Sequence, residues 1–186
     1  LFRSANILRR TLLFTVQLAE MGVPMVLALN MMDEANTRGV VIQHQKLAER
    51  LGLPIIPTTA IRNQGVKEID SVLRTITPIN LKISYPQVIE DLVTELSFHI
   101  PNAPISKRAM ALLWLSDDKE SEQWLLQHAG SSKVDTLEKI LAEAQKSSSL
   151  SLSEIIQNTR LDYIRELADD VLTESGSHWR GFSASL

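Results

Sequence analysis

Apolar residues fall at helical spacing at Leu8, Leu12, Val16 and Ala19, then give way after Gly22 to an unbroken apolar run from Val23 to Leu29. Glycine suits the end of a helix because it takes up the left-handed backbone that helix ends favour. A short apolar run without polar alternation is the pattern of a strand covered on both faces. The alternation then repeats. Gln45 to Leu51 is helix-like and stops at Gly52, Leu53 to Pro57 is a second short apolar segment, and Gly65 opens a helix through Val66, Ile69 and Leu73. This first part predicts an αβαβα order with parallel strands.

Beyond about Ser84 only helix signals remain. Ser84 with Gln87 predicts a capping box around Pro86, Ser106 precedes the apolar stretch Met110 to Leu115, and Ser151 with Glu154 predicts a second capping box. The long helix that starts there carries an apolar stripe at Ile164, Leu167 and Val171. Pro101 and Pro104 separate two of the earlier helices, and Lys146 to Ser149 reads as a solvated connection. The expected fold class is therefore α/β followed by all-α, with the expected division at residues 1–80, 81–175 and a tail, 176–186.

Composition narrows the function classes. The 186 residues are 44% hydrophobic and 22% charged, enough to bury a core. A formal charge of -3 and no Lys/Arg run exclude a nucleic-acid surface held mainly by phosphate neutralisation. There is no cysteine, hence no disulfide framework and no thiolate site. No apolar stretch approaches the roughly 20 residues that span a bilayer, and Leu1 to Arg10 is too charged for a secretory signal. His44, His99, His128 and His178 are scattered without metal-ligand spacing, so no metal site is expected. Asp117, Asp118, Glu120 and Glu122 suit a helix N-terminus, where carboxylates meet the positive end of the dipole. Trp114 and Trp124, set among leucines, read as helical core.

The candidate chemistry sits at the carboxyl ends of the two predicted strands, where open α/β sheets bind ligands. Asn30-Met31-Met32-Asp33 follows the first strand. A carboxylate there can accept two parallel hydrogen bonds from the N1 hydrogen and 2-amino group of guanine, a pair of donors that adenine lacks. Asn30, both donor and acceptor, can hold the N7 edge and tie the loop to neighbouring backbone. Thr58-Thr59-Ala60 follows the second strand and offers backbone amides to a base carbonyl. Each pattern also has a plain alternative: an Asn/Asp turn with Asp33 capping a short helix, and threonine hydroxyls satisfying local backbone.

Val26 to Asp33, followed by Leu47-Ala48-Glu49-Arg50-Leu51-Gly52-Leu53-Pro54-Ile55-Ile56-Pro57-Thr58-Thr59-Ala60, resembles the cytosolic GTPase region of the bacterial ferrous iron transport protein B family. Asn6 to Glu20 resembles the helix preceding its guanine-specificity strand, and Ile105 to Leu115 and Arg160 to Leu172 resemble stretches of its helical, GDI-like domain. The resemblance implies a partial P-loop-GTPase-like parallel sheet, its last strands and helices only, with a C-terminal helical bundle. It implies GTP or GDP as ligand, with magnesium in the parent protein, and Asn30, Met31, Asp33, Thr59 and Ala60 as the residues that bind it, with no nucleotide expected to bind tightly to this chain alone. Met31 stands where many GTPases have Lys, and Ile61 where a Lys often follows the Thr-Ala pair. It further implies a transmembrane iron(II) channel region of the same protein as partner, and a place at the cytoplasmic face of the bacterial inner membrane. Trp179, Arg180 and Phe182 would lead toward that region, or form a frayed terminus.

The sequence holds no Gly-x-x-x-x-Gly-Lys-Ser/Thr and no Asp-x-x-Gly segment for phosphates, metal and attacking water. The resemblance implies GTP hydrolysis coupled to iron(II) uptake in the parent protein, and this chain by itself is expected to hydrolyse no GTP. A strand without its upstream neighbour is expected to expose an apolar edge and pair with another chain or a swapped element. The alternative function is a helical protein-interaction module that binds no nucleotide.

Overall fold

The computed structural model describes residues 2–30, 40–146 and 149–174. Helix α1, Phe2–Glu20, buries Leu8, Leu12, Val16 and Ala19, the four positions at helical spacing. It ends at Gly22, whose φ of 78° lets its N–H return to the Ala19 carbonyl at 3.1 Å. Strand β1 is only Leu27–Leu29, shorter than the apolar run. Pro24 lies in the part that does not pair, and a proline has no N–H to give a ladder. Strand β2, Val40–Ile42, leads into α2, His44–Leu51, which buries Leu47 and Leu51 and stops at Gly52 with φ 64°. Strand β3, Ile55–Pro57, lies parallel to β1 with Leu27 opposite Ile55, Ala28 opposite Ile56 and Leu29 opposite Pro57. A 3-10 turn, Ala60–Arg62, and helix α3, Val66–Leu73, complete the expected αβαβα order, with β2 as an added strand between β1 and α2.

Five helices follow: α4, Gln87–His99; α5, Lys107–Leu115; α6, Lys119–Ala129; α7, Ser131–Lys146; and α8, Leu152–Val171. Three of their caps stand where the sequence places them. Ser106 accepts from the Ala109 N–H, Asp118 accepts from the Ser121 N–H, and Ser151 with Glu154 forms a complete capping box. The start of α4 is different. Pro86 is its N-cap and no side chain caps it; the carboxylate of Glu90 instead reaches back to the Tyr85 N–H at 3.0 Å. Glu90 is held there by Arg108, which pairs with it at 2.6 Å and also donates to the Ile83 carbonyl at 3.0 Å, so a tertiary ion pair replaces the local Ser84 cap.

Two strands were hidden from the periodicity. Helix α8 does not end in a loop but runs directly into β4, Leu172–Glu174, which pairs antiparallel with β2. Val41 stands opposite Thr173 and Ile42 opposite Leu172. The α/β part and the helices share one apolar core: Leu8, Leu12 and Val16 of α1 join Leu47 and Leu51 of α2, Leu96 of α4 and Ile156, Ile164 and Leu167 of α8 in a single cluster. Each such side chain removed from water contributes about 1.5–3 kcal/mol, so α8 is anchored to α1 as firmly as to its helical neighbours. Trp114 is buried in this core, while Trp124 is partly buried and stacks on His128 with ring centres 4.3 Å apart.

Candidate functional site

Parallel pairing in register brings the residues after β1 and β3 out side by side at the same end of the sheet. Asn30 Oδ1 accepts a hydrogen bond from the Ala60 N–H at 3.1 Å and a longer one from the Thr58 hydroxyl at 3.4 Å. Since the Ala60 amide can only donate, the side-chain oxygen must face it, which leaves the Asn30 NH2 group to meet a further acceptor. Thr59 is buried, and its N–H and C=O form a reciprocal pair with Gln64, each bond 3.3 Å long. That pair pins the base of the loop in which the 3-10 turn sits. Ile61 projects from the turn almost fully exposed.

Gly65 closes the loop. Its φ is 78°, and a Cβ there would lie 2.5 Å from the Pro57 carbonyl oxygen and 2.9 Å from Thr58 Cγ2. The returning chain thus packs directly on the end of β3, and only glycine allows that approach. Of the predicted site residues, Asn30, Thr59 and Ala60 come together here, while Met31 and Asp33 lie outside the described residues. The Thr58 hydroxyl joins them. A cleft of about 530 Å³ is bordered by Gln17, Asp117, Ser153 and Arg160, and Asn30, Thr59 and Ala60 do not line it. Among the described residues no group of three or more His, Asp or Glu side chains is arranged to hold a metal ion, and no helix is long and apolar enough to cross a membrane.

A second polar cluster lies ten residues upstream of Asn30, at the end of α1. Glu20 is buried and paired with Arg160 of α8, Nε to Oε2, at 2.8 Å, with side chains only 4% and 7% exposed. The Tyr85 hydroxyl donates to the same carboxylate at 2.8 Å. Burial first, then the charge of Glu20, push the Tyr85 phenol far above its usual range, so the hydroxyl remains a donor. Arg108 lies over the Tyr85 ring at 5.8 Å. The sequence carried a signal for this: Arg160 interrupts the buried series Leu152, Ile156 and Ile164 at four-residue spacing. A charge on an apolar stripe must find a partner, and burial of both costs energy unless they meet.

Comparison with known proteins connects the two halves. Residues 3–73 match the family described as ferrous iron transport protein B, and residues 85–173 match its cytosolic helical domain. The chain belongs to the ferrous iron transport protein B family. The Fe(2+) transporter FeoB of Legionella pneumophila strain Lens is 41% identical over 95 residues, covering 48% of this chain and 13% of the relative. That of Staphylococcus aureus strain COL is 27% identical over 191 residues, covering 98% of this chain and 28% of the relative. The chain therefore spans less than a third of either curated relative. A GDP-bound mutant of S. thermophilus NFeoB superposes with a TM-score of 0.78 at 25% identity, over 91% of this chain and 66% of that one. The cytosolic domain of L. pneumophila FeoB gives 0.71 at 26% identity, over 91% and 65%.

In FeoB terms the chain holds part of the G domain followed by the cytosolic helical domain, and its α/β-then-helical architecture is that of the FeoB structures. Tyr85 is the first residue of the helical match. Its hydroxyl on Glu20 of α1 and its N–H on Glu90 of α4 join the two matched regions at the seam.

Proposed function

We propose that this chain supplies the base-recognition corner of a guanine-nucleotide site, and the helical domain that holds it, within a GTP-dependent iron(II) transporter. The observation that carries this reading is the Asn30–Ala60 hydrogen bond. It joins the Asn30 side chain to the loop after β3 and leaves the Asn30 NH2 group for N7, while the Ala60 N–H, now donated to Asn30 Oδ1, would exchange that acceptor for the 6-keto oxygen when a guanine base binds. Asp33 would take the N1 hydrogen and the 2-amino group, and the Met31 thioether would cover a face of the base. Thr59, fixed by Gln64, holds the carbonyl-receiving loop at its height above β3. The similar S. thermophilus NFeoB structures include complexes with GDP and with GMPPNP, which supports the same ligand class here.

These residues select a base; they do not act on phosphates. The sequence contains no phosphate loop, so neither magnesium nor the transferred phosphoryl group is assigned to it. In this reading residues 1–80 are the distal part of the G domain, 81–175 the regulatory helices, and 176–186 the lead toward a membrane-embedded region through which iron(II) passes as cargo. The chain would then lie at the cytoplasmic face of the inner membrane.

The test is base selectivity. In full-length FeoB carrying this sequence, Asp33→Asn replaces a double acceptor by a group that also donates, and the preference for GDP over XDP should fall by about two orders of magnitude. Competition binding reads the ratio directly. An unchanged ratio removes Asp33 from the site.

A further inference from the structure

The cleft of about 530 Å³ lies where the last turns of α1, the turn from α5 into α6 and the first half of α8 meet. Its size is that of a pocket for a small molecule. Its polar side chains differ in how far the fold has already used them. The Asp118 carboxylate is taken by the Ser121 N–H, and Lys119 is paired with Glu122 at 2.9 Å. Arg160, Asp117, Gln17 and Gln157 keep unused hydrogen-bonding groups.

Arg160 is the most telling of them, because its side chain is only 7% exposed. Its Nε donates to Glu20 at 2.8 Å, and the Tyr85 hydroxyl oxygen beside it can take one N–H more. A guanidinium has more donors than these two oxygens use. The rest meet no acceptor among the described residues. Those nitrogens are not sealed in the core, and Arg160 borders the cleft, so the unused N–H groups face its space. A planar fork of N–H groups in such a place matches a carboxylate.

Asp117 borders the same cleft, and its carboxylate makes no hydrogen bond among the described residues. It does not pair with Arg160 either. Opposite charges that share an opening without touching suit a ligand that carries both signs. Glu20 already balances the charge of Arg160, so an anion alone gains little there, whereas an added ammonium gains Asp117. The side-chain amides of Gln17 and Gln157, each able to donate or accept, have no partner among the described residues, and Met21 and Leu113 give the cleft an apolar wall.

We propose that this cleft binds a small amino carboxylate, its carboxylate on the free N–H groups of Arg160, its ammonium on Asp117, and its aliphatic part against Met21 and Leu113. Asn30, Thr59 and Ala60 do not line the cleft, so the site stands or falls apart from the guanine reading.

The experiment titrates the full chain with glycine, β-alanine or γ-aminobutyrate, up to about 10 mM, while heteronuclear NMR follows the Arg160 Nε–H and the side-chain NH2 signals of Gln17 and Gln157. Propionate and propylamine, each with one of the two charges, are the controls. At least one amino carboxylate should shift all these signals saturably and bind about fivefold or more tightly than either control. Asp117 has a φ of 58°, a backbone that glycine adopts more easily. Asp117→Gly should therefore keep or raise Tm while it weakens the amino carboxylate about fivefold, and Asp117→Asn should show the same loss of affinity. No saturable shift from any amino carboxylate overturns the proposal, as does propionate or propylamine binding equally well. Undiminished affinity in either Asp117 variant, or a Tm of Asp117→Gly that falls in step with affinity, overturns it too.

Discussion

At the scale of single residues, the loop after β3 depends on Gly65 more than on any side chain that would face a ligand. The left-handed backbone and the 2.5 Å approach to the Pro57 carbonyl both forbid a Cβ. Gly65→Ala should therefore cost more than about 1 kcal/mol and push Thr58 away from Asn30. Thermal unfolding reads the first effect and the Asn30 side-chain NH2 resonances read the second; an Ala variant with both unchanged would mean the loop has slack that the geometry denies. That a glycine was needed for a turn was legible in the sequence, as was the pairing of Asn30 with the Thr58-Thr59-Ala60 segment. The engagement of the Ala60 amide by Asn30 itself was not, because it follows from the register of β1 against β3.

At the scale of elements, α8 is fixed to α1 by one buried ion pair, Glu20 with Arg160. Removing a single partner leaves the other uncompensated, so Glu20→Gln or Arg160→Met should each destabilise by about 3–5 kcal/mol. Replacing Glu20 by Leu, Arg160 by Met and Tyr85 by Phe together removes every member of the cluster, and should cost much less than the two single changes summed. Urea denaturation measures each; a combined loss equal to that sum would show that the groups do not act as one unit. Element ends were the least legible feature. Proline shortened β1, Glu90 took the cap role expected of Ser84, and β2 and β4 went unread although Val40-Val41-Ile42 is a β-branched run. A strand of three residues has too few positions to show a period, and β4 exists only because β2 lies beside it.

At the scale of the whole molecule, stability should follow pH through a small set of paired carboxylates. Arg108 holds the Glu90 carboxyl below its ordinary value, and Lys46 does the same for Asp170. A carboxyl depressed in the folded state contributes stability that is fully present above its ordinary value and is lost as pH falls through the folded one. The unfolding midpoint should thus hold down to the ordinary Glu value of 4.5 and decline below it. Arg108→Met should flatten the part of that decline due to Glu90, as urea midpoints across pH 7 to 3 would show. A slope unaltered by Arg108→Met would place the acid sensitivity on other groups. Tyr85 acts in the opposite sense: its raised value contributes stability fully present below 10.0 and lost as pH rises beyond it.

The sequence by itself determined what local patterns and short-range chemistry can encode: the αβαβα order, the helical second half, the serine and aspartate caps of α5, α6 and α8, the glycine stops, and the two loops that share one end of the sheet. Apolar period and cap chemistry act within a few residues, so they survive in one dimension. Only the tertiary structure decided that Glu20 and Arg160, 140 positions apart, share a buried pair, that Asp169 pairs with Arg9 of α1 and Asp170 with Lys46 and Arg50 of α2, and that the last helix continues as a strand on β2. Those contacts join elements distant in sequence, and a charge on an apolar stripe shows that a partner exists without saying where it lies.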